Sequence, residues 1–444
     1  MTSLWHSVAS TGFKGALHAR TASVALADLA TRSCVPGGPE ALRGRSVLLA
    51  MREQLSAGLA LLELDGVARR LILCTPDLSP QVRAEVVAMA AAEAELSDLD
   101  PRPAAAPVER RGGTATEWIL LTSGTTGTPK LVVHSLSSLG GTLPRQRPGP
   151  ETVWSTFYDI RRYGGLQIYL RAVLSGVPLV LSSREESTAD FLERAAAHGV
   201  THISGTPSHW RRALMSGAAQ ALRPAYVRLS GEVADQVVLD QLRAAYPKAR
   251  IAHAFASTEA GVAFDVNDGR AGFPADLINH PREGIELKVQ DGTLHIRSQR
   301  TAARYLGATS RDLAGGEGYV DTGDLVELED GRYYFRGRKG GIINVGGLKV
   351  YPEEVEGVLN ADPRVRMSLV HAKRSPITGA LVVAEVVLED SIGAALDAPQ
   401  AENLKGELLA ACRRALQAHK VPARLSFVRA LELTAAGKLV RPGA

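Results

Sequence analysis

A hydroxyl- and glycine-rich run, Leu121-Thr122-Ser123-Gly124-Thr125-Thr126-Gly127-Thr128-Pro129-Lys130, has the make-up of a phosphate cradle. Glycines let a backbone come close to a bulky anion and take up φ > 0. Successive N–H groups in such a turn form an anion-binding nest, and Lys130 adds a mobile positive charge. The hydroxyls of Ser123, Thr125 and Thr126 offer further donors, or an oxygen for a metal. The spacing is not Gly-x-x-x-x-Gly-Lys-Ser/Thr, so kinase-type and GTPase-type readings fit badly. Four further groups follow along the chain. Glu259, in Ser257-Thr258-Glu259-Ala260-Gly261, stands just after an apolar run. It suits either the start of a helix or Mg²⁺, which takes one carboxylate beside phosphate oxygens. Asp324, at the end of 318–324, either accepts ribose hydroxyls or sits in an Asp-rich turn. Arg338, after Gly337, offers planar hydrogen bonds to ribose or phosphate, or is a solvated cation in a basic linker. Lys438, in 434–438, read alone is a solvated lysine.

The elements that must position these groups alternate along the chain. Runs 118–121 and 131–133 read as strands that hold the glycine-rich run as a tight loop between them. Strand 46–51, a helix to about 64 and strand 71–74 precede it. Helix 191–198, strand 201–204, helix 236–246 and strand 251–255 follow, an α/β pattern with largely parallel pairing. From about residue 276 the pattern changes to short strands with Asp-Gly turns at 291–292 and 330–331, the strongest short-range hairpin signal. Beyond Gly340 a small α+β unit carries helix 352–359, strands 366–371 and 381–387, and helix 402–419. Pro/Gly-rich stretches at 101–113 and 143–151, and the basic segment 336–341, read as breaks. The expected division is a large domain over 1–336, with a first subdomain to about 110 and a β-rich part over 276–336, and a small C-terminal domain over 337–444.

A chain of 444 residues is too long for one ordinary core. With 45% hydrophobic and 22% charged residues it is a globular sequence. No apolar stretch approaches a bilayer span. Cys34, Cys74 and Cys412 are widely separated and odd in number, which fits a reducing compartment without a disulfide framework or a metal cluster. The formal charge of +4 is modest and its cations are scattered, which gives no support to a nucleic-acid partner. The first 27 residues contain no Asp or Glu, so an organelle-targeting segment stands beside the plainer expectation of a cytoplasmic protein.

The five groups, in this order, resemble the adenylate-forming superfamily of acyl-CoA synthetases, luciferases and nonribosomal-peptide adenylation domains. The resemblance runs motif by motif over roughly 115–440. It implies an α/β large domain, a mobile small domain, and ATP, Mg²⁺ and coenzyme A as reactants. It assigns the ATP phosphates to Thr122, Ser123, Gly124, Thr125, Thr126, Gly127 and Lys130, with Thr126 and Glu259 at the metal. Gly231 and Glu232 match the turn flanking adenine, and Phe255, Ser257 and Thr258 the segment leading to Glu259. Asp324 and Arg338 match the ribose-binding pair, and Lys438 the catalytic lysine of the small domain. Gly346, Gly347 and Lys349 resemble the lining of a pantetheine tunnel. Tyr158, Arg162, Gly165, His202 and Ala256 are the expected lining of the acid pocket. His209, Ser204, Gly205, Ala254 and Phe255 join them and suggest an aromatic or medium-sized acid.

The chain departs from the family in three places. Gly340, next to Gly341, stands where the family has an Asp or Lys hinge. Arg162 stands where many acyl-CoA synthetases have a histidine, with Tyr158 or Asp159 as alternative alignments. The region before the phosphate loop is short, which trims the pocket wall or a dimer surface, so the homodimer stays an open assembly. The expected activity is an acid:CoA ligase acting through an acyl-adenylate. The alternative is an adenylation enzyme that loads an acid or amino acid onto a carrier protein, favoured by Asp159, which resembles the aspartate that holds an α-amino group.

Overall fold

The computed structural model describes residues 3–105, 113–122, 129–140, 149–281, 284–307, 313–375, 379–393, 396–432 and 439–440. Two sheets form the body of the large domain. The larger has eight strands, in which Leu179–Leu181, Trp154–Thr156, His202–Gly205, Tyr226–Ser230 and Arg250–Ser257 run parallel in that spatial order. The parallel pairing follows from the helices between the strands: Tyr163–Ser175, Thr188–Ala197, Pro207–Met215 and Gln236–Ala245. Both faces of this sheet are covered. Helix Tyr163–Ser175 packs on one through Leu166 and Leu170, and the other three helices pack on the other through Trp210, Leu192 and Leu239.

The second sheet orders its strands Arg304–Leu306, Lys130–His134, Glu117–Thr122, Arg70–Leu73, Ser46–Leu49 and Ala94–Leu96. The stretch 101–113 therefore does not end a structural unit. Glu117–Thr122 runs parallel to Arg70–Leu73 within one sheet, and Ala104–Ala105 pairs with Arg32–Ser33. Buried apolar faces on both sides, Leu71 and Trp118 on one and Ile72 and Ile119 on the other, hold these strands together across the proline-rich linker. The N-terminal residues also cross sheets, since Ala16–His18 pairs with Leu179–Leu181. Asp65 pins this arrangement by accepting from Leu4 N and Trp118 Nε1, both at 2.7 Å.

The β-rich part is a five-stranded sheet that includes Ile285–Gln290, Thr293–Ser298, Val320–Glu329 and Arg332–Arg338. Asp291 and Asp330 take positive φ at the expected Asp-Gly turns. Beyond Gly341 the small domain packs helices Pro352–Asn360 and Ala398–Ala415 on strands Val365–Ser375, Gly379–Leu388 and Arg424–Phe427, around Val355, Leu359, Leu404 and Leu408. The last helix begins earlier than its expected 402, because Asp397 caps it in a capping box with Gln400. No helix among the described residues is long and apolar enough to cross a membrane.

Candidate active site

Thr122 and Lys130 are directly opposite each other in an antiparallel pair inside the second sheet, so the two ends of the glycine-rich run are held side by side. Ser123, Gly124, Thr125, Thr126 and Gly127 lie outside the described residues. Three described side chains join this strand pair to the Ser257-Thr258-Glu259 segment at the end of Arg250–Ser257. His134 Nε2 lies 2.7 Å from Thr258 O, and its Nδ1 2.9 Å from Ser138 Oγ. A carbonyl only accepts, so Nε2 carries the proton and Nδ1 accepts from the serine. Burial pushes this imidazole down to about 4, against the opposing pull of the Thr258 carbonyl, and keeps it neutral. Tyr305, on Arg304–Leu306, donates its hydroxyl to Glu259 Oε1 at 3.3 Å, while Lys130 Nζ sits 5.2 Å from the centre of the same ring. Burial first, and then the neighbouring Glu259, raise the Tyr305 phenol well above its ordinary range, so it stays a donor. One carboxylate oxygen is thus fixed, and the other suits a hard cation that takes few protein ligands and several phosphate oxygens. No cluster of three or more His, Cys, Asp or Glu fit to hold a metal occurs among the described residues. Any ion here would lean on Glu259 and on phosphate.

Glu232 follows the positive-φ turn at Gly231 and accepts from two directions. Ser208 N, in the first turn of helix Pro207–Met215, donates at 2.9 Å, and Leu439 N, from the far end of the chain, at 3.3 Å. Lys438, one residue before Leu439, lies outside the described residues. Asp324 and Arg338 face each other across an antiparallel pair, with Arg338 Nε 3.3 Å from Asp324 Oδ1 and Nη2 2.7 Å from Thr322 O. Gly337, beside Arg338, has φ +116 and sits where an added Cβ would collide with Glu353 of the small domain. The Glu353 carboxylate can swing aside, so it is the positive φ that favours glycine here. Ser257 Oγ accepts from Ala260 N at 3.0 Å, which shapes the turn that presents Glu259. Phe255 points to the opposite sheet face, stacked on Phe264 and Phe335 at 5.9 and 5.1 Å.

The expected pocket residues divide. Tyr158 is buried, and its hydroxyl donates to Ser230 O at 2.6 Å, which ties the Phe157–Asp159 turn to the Ser230-Gly231-Glu232 turn. Burial raises its phenol pKa strongly. Gly165 is a packing glycine, since a Cβ there would strike the Asp159 carbonyl. Ala256 lies on the sheet face toward helix Tyr163–Ser175. Arg162 instead turns to Asp77, with Nη2 2.9 Å from Oδ2 and 3.4 Å from Thr75 Oγ1. Its Nη2 is taken by the segment that follows Arg70–Leu73, while its Nε is buried with no hydrogen-bond partner among the described residues. His202 begins its strand, three residues before Gly205, beside Trp154 and Tyr226 at 4.8 and 5.7 Å. It is not brought to the carboxyl edge, where Ser230 and Glu259 stand. Asp159 is also occupied: Arg161 holds it through Nε at 2.8 Å and Nη2 at 2.6 Å, with both side chains buried. Gly346 and Gly347 form the positive-φ turn of the hairpin Ile343–Val345 with Leu348–Val350, and Lys349 is exposed on it.

His134 and Tyr305 escape a reading of the sequence. Neither has a motif of its own, and each reaches the site only because Lys130–His134 and Arg304–Leu306 pair with each other across 170 residues of chain, register Val132 to Tyr305. Arg228 carried a weak signal, a lone arginine inside the apolar strand Tyr226–Ser230.

A two-sheet α/β body in which a glycine-rich run is bracketed by paired strands near the Glu259 segment, followed by a β-rich sheet and a small α+β unit, has the features expected of a nucleotide-binding enzyme. Residues 53–305 match the AMP-binding enzyme family and residues 354–438 the AMP-binding enzyme C-terminal domain. The chain belongs to the AMP-binding enzyme family. Among its relatives, a 2-succinylbenzoate–CoA ligase of Salmonella typhimurium is 30% identical over 259 residues, 56% of this chain and 53% of that protein. The chain thus spans about half the length of that relative. One from Staphylococcus epidermidis is 25% identical over 337 residues, 73% of this chain and 68% of that protein. The crystal structure of the anthranilate CoA ligase AuaEII in complex with anthranoyl-AMP has the same fold, with a TM-score of 0.80 at 17% identity, covering 98% of this chain and 95% of that one.

Proposed function

We propose that this chain is an ATP-dependent carboxylic acid:CoA ligase that forms an acyl-adenylate, releases pyrophosphate, and passes the acyl group to coenzyme A. The observation that carries this reading is the N–H of Leu439 on Glu232. It brings the segment just after Lys438 onto the turn beside the expected adenine site, across the two domains. A carboxylate and ATP repel each other, so adenylation needs positive charge and N–H donors around the α-phosphate as its charge grows. In this reading the glycine-rich loop and Lys130 hold the β- and γ-phosphates, and Thr126 with Glu259 hold Mg²⁺. Asp324 and Arg338 hold the ribose, and Lys438 bridges the acid and the α-phosphate. Mg²⁺ supplies charge neutralisation on the departing pyrophosphate. Tyr305 keeps Glu259 turned toward the phosphates, and His134 fixes the backbone of Thr258 beneath it. The thiol step needs Lys438 out of the way, and Gly340 and Gly341 are the residues that absorb the rotation. Gly346, Gly347 and Lys349 would then face the pantetheine arm.

The engagement of Asp159 by Arg161 counts against the carrier-protein alternative, because that carboxylate is the feature that favoured amino-acid activation. Three buried thiols, Cys34, Cys74 and Cys412, support a cytoplasmic location. Sedimentation would decide on the homodimer. The test of the function is acid-dependent ATP–pyrophosphate exchange over a panel of acids, followed by thioester detection with coenzyme A. Exchange with a CoA-dependent thioester product is expected. Exchange that never yields a thioester would replace the ligase reading with the carrier one.

A further inference from the structure

Two buried donors on neighbouring strands have no hydrogen-bond partner among the described residues: Ser204 Oγ and Arg228 Nε. Ser204 and Arg228 are paired in register, and Ala252 is the next residue in line on the third strand. Side chains alternate along a strand, so all three share a face with Ser230, Ala254 and Ala256, one step nearer the carboxyl edge. That face packs against helix Tyr163–Ser175. Solvent reaches 0% of Ser204 and 5% of Arg228. Leaving such a group without a partner costs about 1–3 kcal/mol, and native interiors hold few of them. A hydroxyl and a guanidinium N–H side by side make a donor set for an anionic oxygen.

The charge around them points the same way. Arg228 Nη2 donates to Asp265 Oδ1 at 2.7 Å, and Asp265 keeps 42% of its side chain exposed. Burial works against its ionised form, yet Arg228, Arg171 and Arg300 together hold it below the usual carboxylate range. Arg171 lies on helix Tyr163–Ser175, its guanidinium carbon 5.4 Å from the centre of the Trp154 ring. One carboxylate faces three guanidiniums, and the small Ala252 and Ala254 separate the strands of the ion pair. The group carries excess positive charge one row below the site assigned to the reacting carboxylate.

We propose that Ser204 and Arg228, supported by Arg171, form a subsite for a second anionic group, and that the acid activated here is a dicarboxylic acid whose distal carboxylate meets Arg228 Nε and Ser204 Oγ. This rests on the ligase reading for the position of the reacting carboxylate. The two rows are separated by a two-residue step of roughly 7 Å along the strand. One aromatic ring or a short aliphatic chain spans such a gap. Asp265 is then the internal anion with which the substrate shares Arg228.

The test compares benzoate with isophthalate and terephthalate, and hexanoate with adipate, on the full chain. Exchange kinetics and the thermal shift each acid gives without ATP are both read. A diacid is expected to exceed its monoacid partner by at least about tenfold in kcat/KM, the effect of one charge-assisted hydrogen bond. Arg228→Met and Ser204→Ala are expected to abolish that ratio through KM, while Asp265→Asn raises it several-fold. Opposite signs from two partners of one ion pair do not arise from misfolding. Equal use of monoacids and diacids, or a ratio unmoved by both Arg228→Met and Asp265→Asn, overturns the subsite and leaves the ligase reading standing. A diacid-specific thermal shift, lost in Arg228→Met, with no exchange supported by any acid, upholds the subsite and overturns the ligase reading.

Discussion

The half of the site that we assign to ATP and the half that we assign to the acid are built on opposite principles. On the proposed ATP side three carboxylates already have partners: Glu259 holds Tyr305, Asp324 holds Arg338, and Glu232 holds Ser208 N and Leu439 N. On the proposed acid side Ser204 Oγ and Arg228 Nε are buried without one among the described residues. A satisfied cluster is preorganised for a ligand that never changes, and it loses little when the ligand leaves. An unsatisfied one is costly when empty and discriminates sharply when filled, because a wrong ligand leaves the donors unpaired. In the proposed reading the common reactant is met by a rigid frame, and the particular acid by buried donors.

The sharpest way to break this comparison is at the residue proposed to serve both halves. Lys438→Ala is expected to lower adenylation by about 10²–10³, as for the loss of an oxyanion donor, while thiolysis of a supplied acyl-adenylate changes only a few-fold. Single-turnover measurement of the two steps checks it. Intact adenylation would remove Lys438 from the mechanism.

The next effect bears on the support beneath each half, since each rests on a neutral histidine. His134 holds Thr258 on the ATP side. His209 caps helix Pro207–Met215 through Thr206 and stacks on Phe157 at 5.3 Å, next to Tyr158. Burial lowers them to about 4 and about 3, with Arg212 adding to the second. A histidine near 6.5 when unfolded takes up its proton in the unfolded chain first, so stability is full above pH 6.5 and falls as pH drops toward the folded values. Each contributes a loss of about 1.4 kcal/mol at pH 5.5. Urea melts at pH 7.5 and 5.5 should show this, and a His134→Gln, His209→Gln double variant should reduce it, leaving the share of His18, His202 and His253, which burial also holds down.

Gly337→Ala tests the junction between the frame and the small domain. Its positive φ predicts a loss of about 1–3 kcal/mol, read as a lowered Tm, with a weaker hold on ATP through Arg338. The smallest effect is expected for Tyr305→Phe, which removes one hydrogen bond to a carboxylate. A loss near 1.5 kcal/mol gives about tenfold weaker activation by Mg²⁺ at an unchanged Tm. A changed Tm with unchanged Mg²⁺ dependence would make Tyr305 a packing residue only.

Most of the frame was legible in the chain itself. The strands flanking the glycine-rich run, the alternation through 191–255, the Asp-Gly hairpins and the small α+β unit all follow from local apolar periodicity and turn chemistry, which act within a few residues. Motif order put Asp324 and Arg338 in one set, and the structure pairs them across two strands. Local pattern failed where distant strands were joined. The linker at 101–113 looked like a boundary because proline and glycine interrupt periodicity, yet one sheet continues across it, since burying both faces of Arg70–Leu73 outweighs the break. Arg162 read as a pocket residue by its distance from Gly165-Leu166, and Asp77, in the segment that follows Arg70–Leu73, takes its Nη2.

The amino-acid order by itself determined the family and most of the elements, because these depend on short segments with their own geometry. Tertiary structure alone decided which side chains are spoken for and which are not. Asp159 is closed by Arg161, His134 and Tyr305 are recruited by a strand pair far apart in sequence, and Ser204 Oγ and Arg228 Nε meet as neighbouring atoms with no hydrogen-bond partner among the described residues. The register between strands settles each of these. It is set by the burial of both sheet faces at once, a property of the whole core that no segment carries alone.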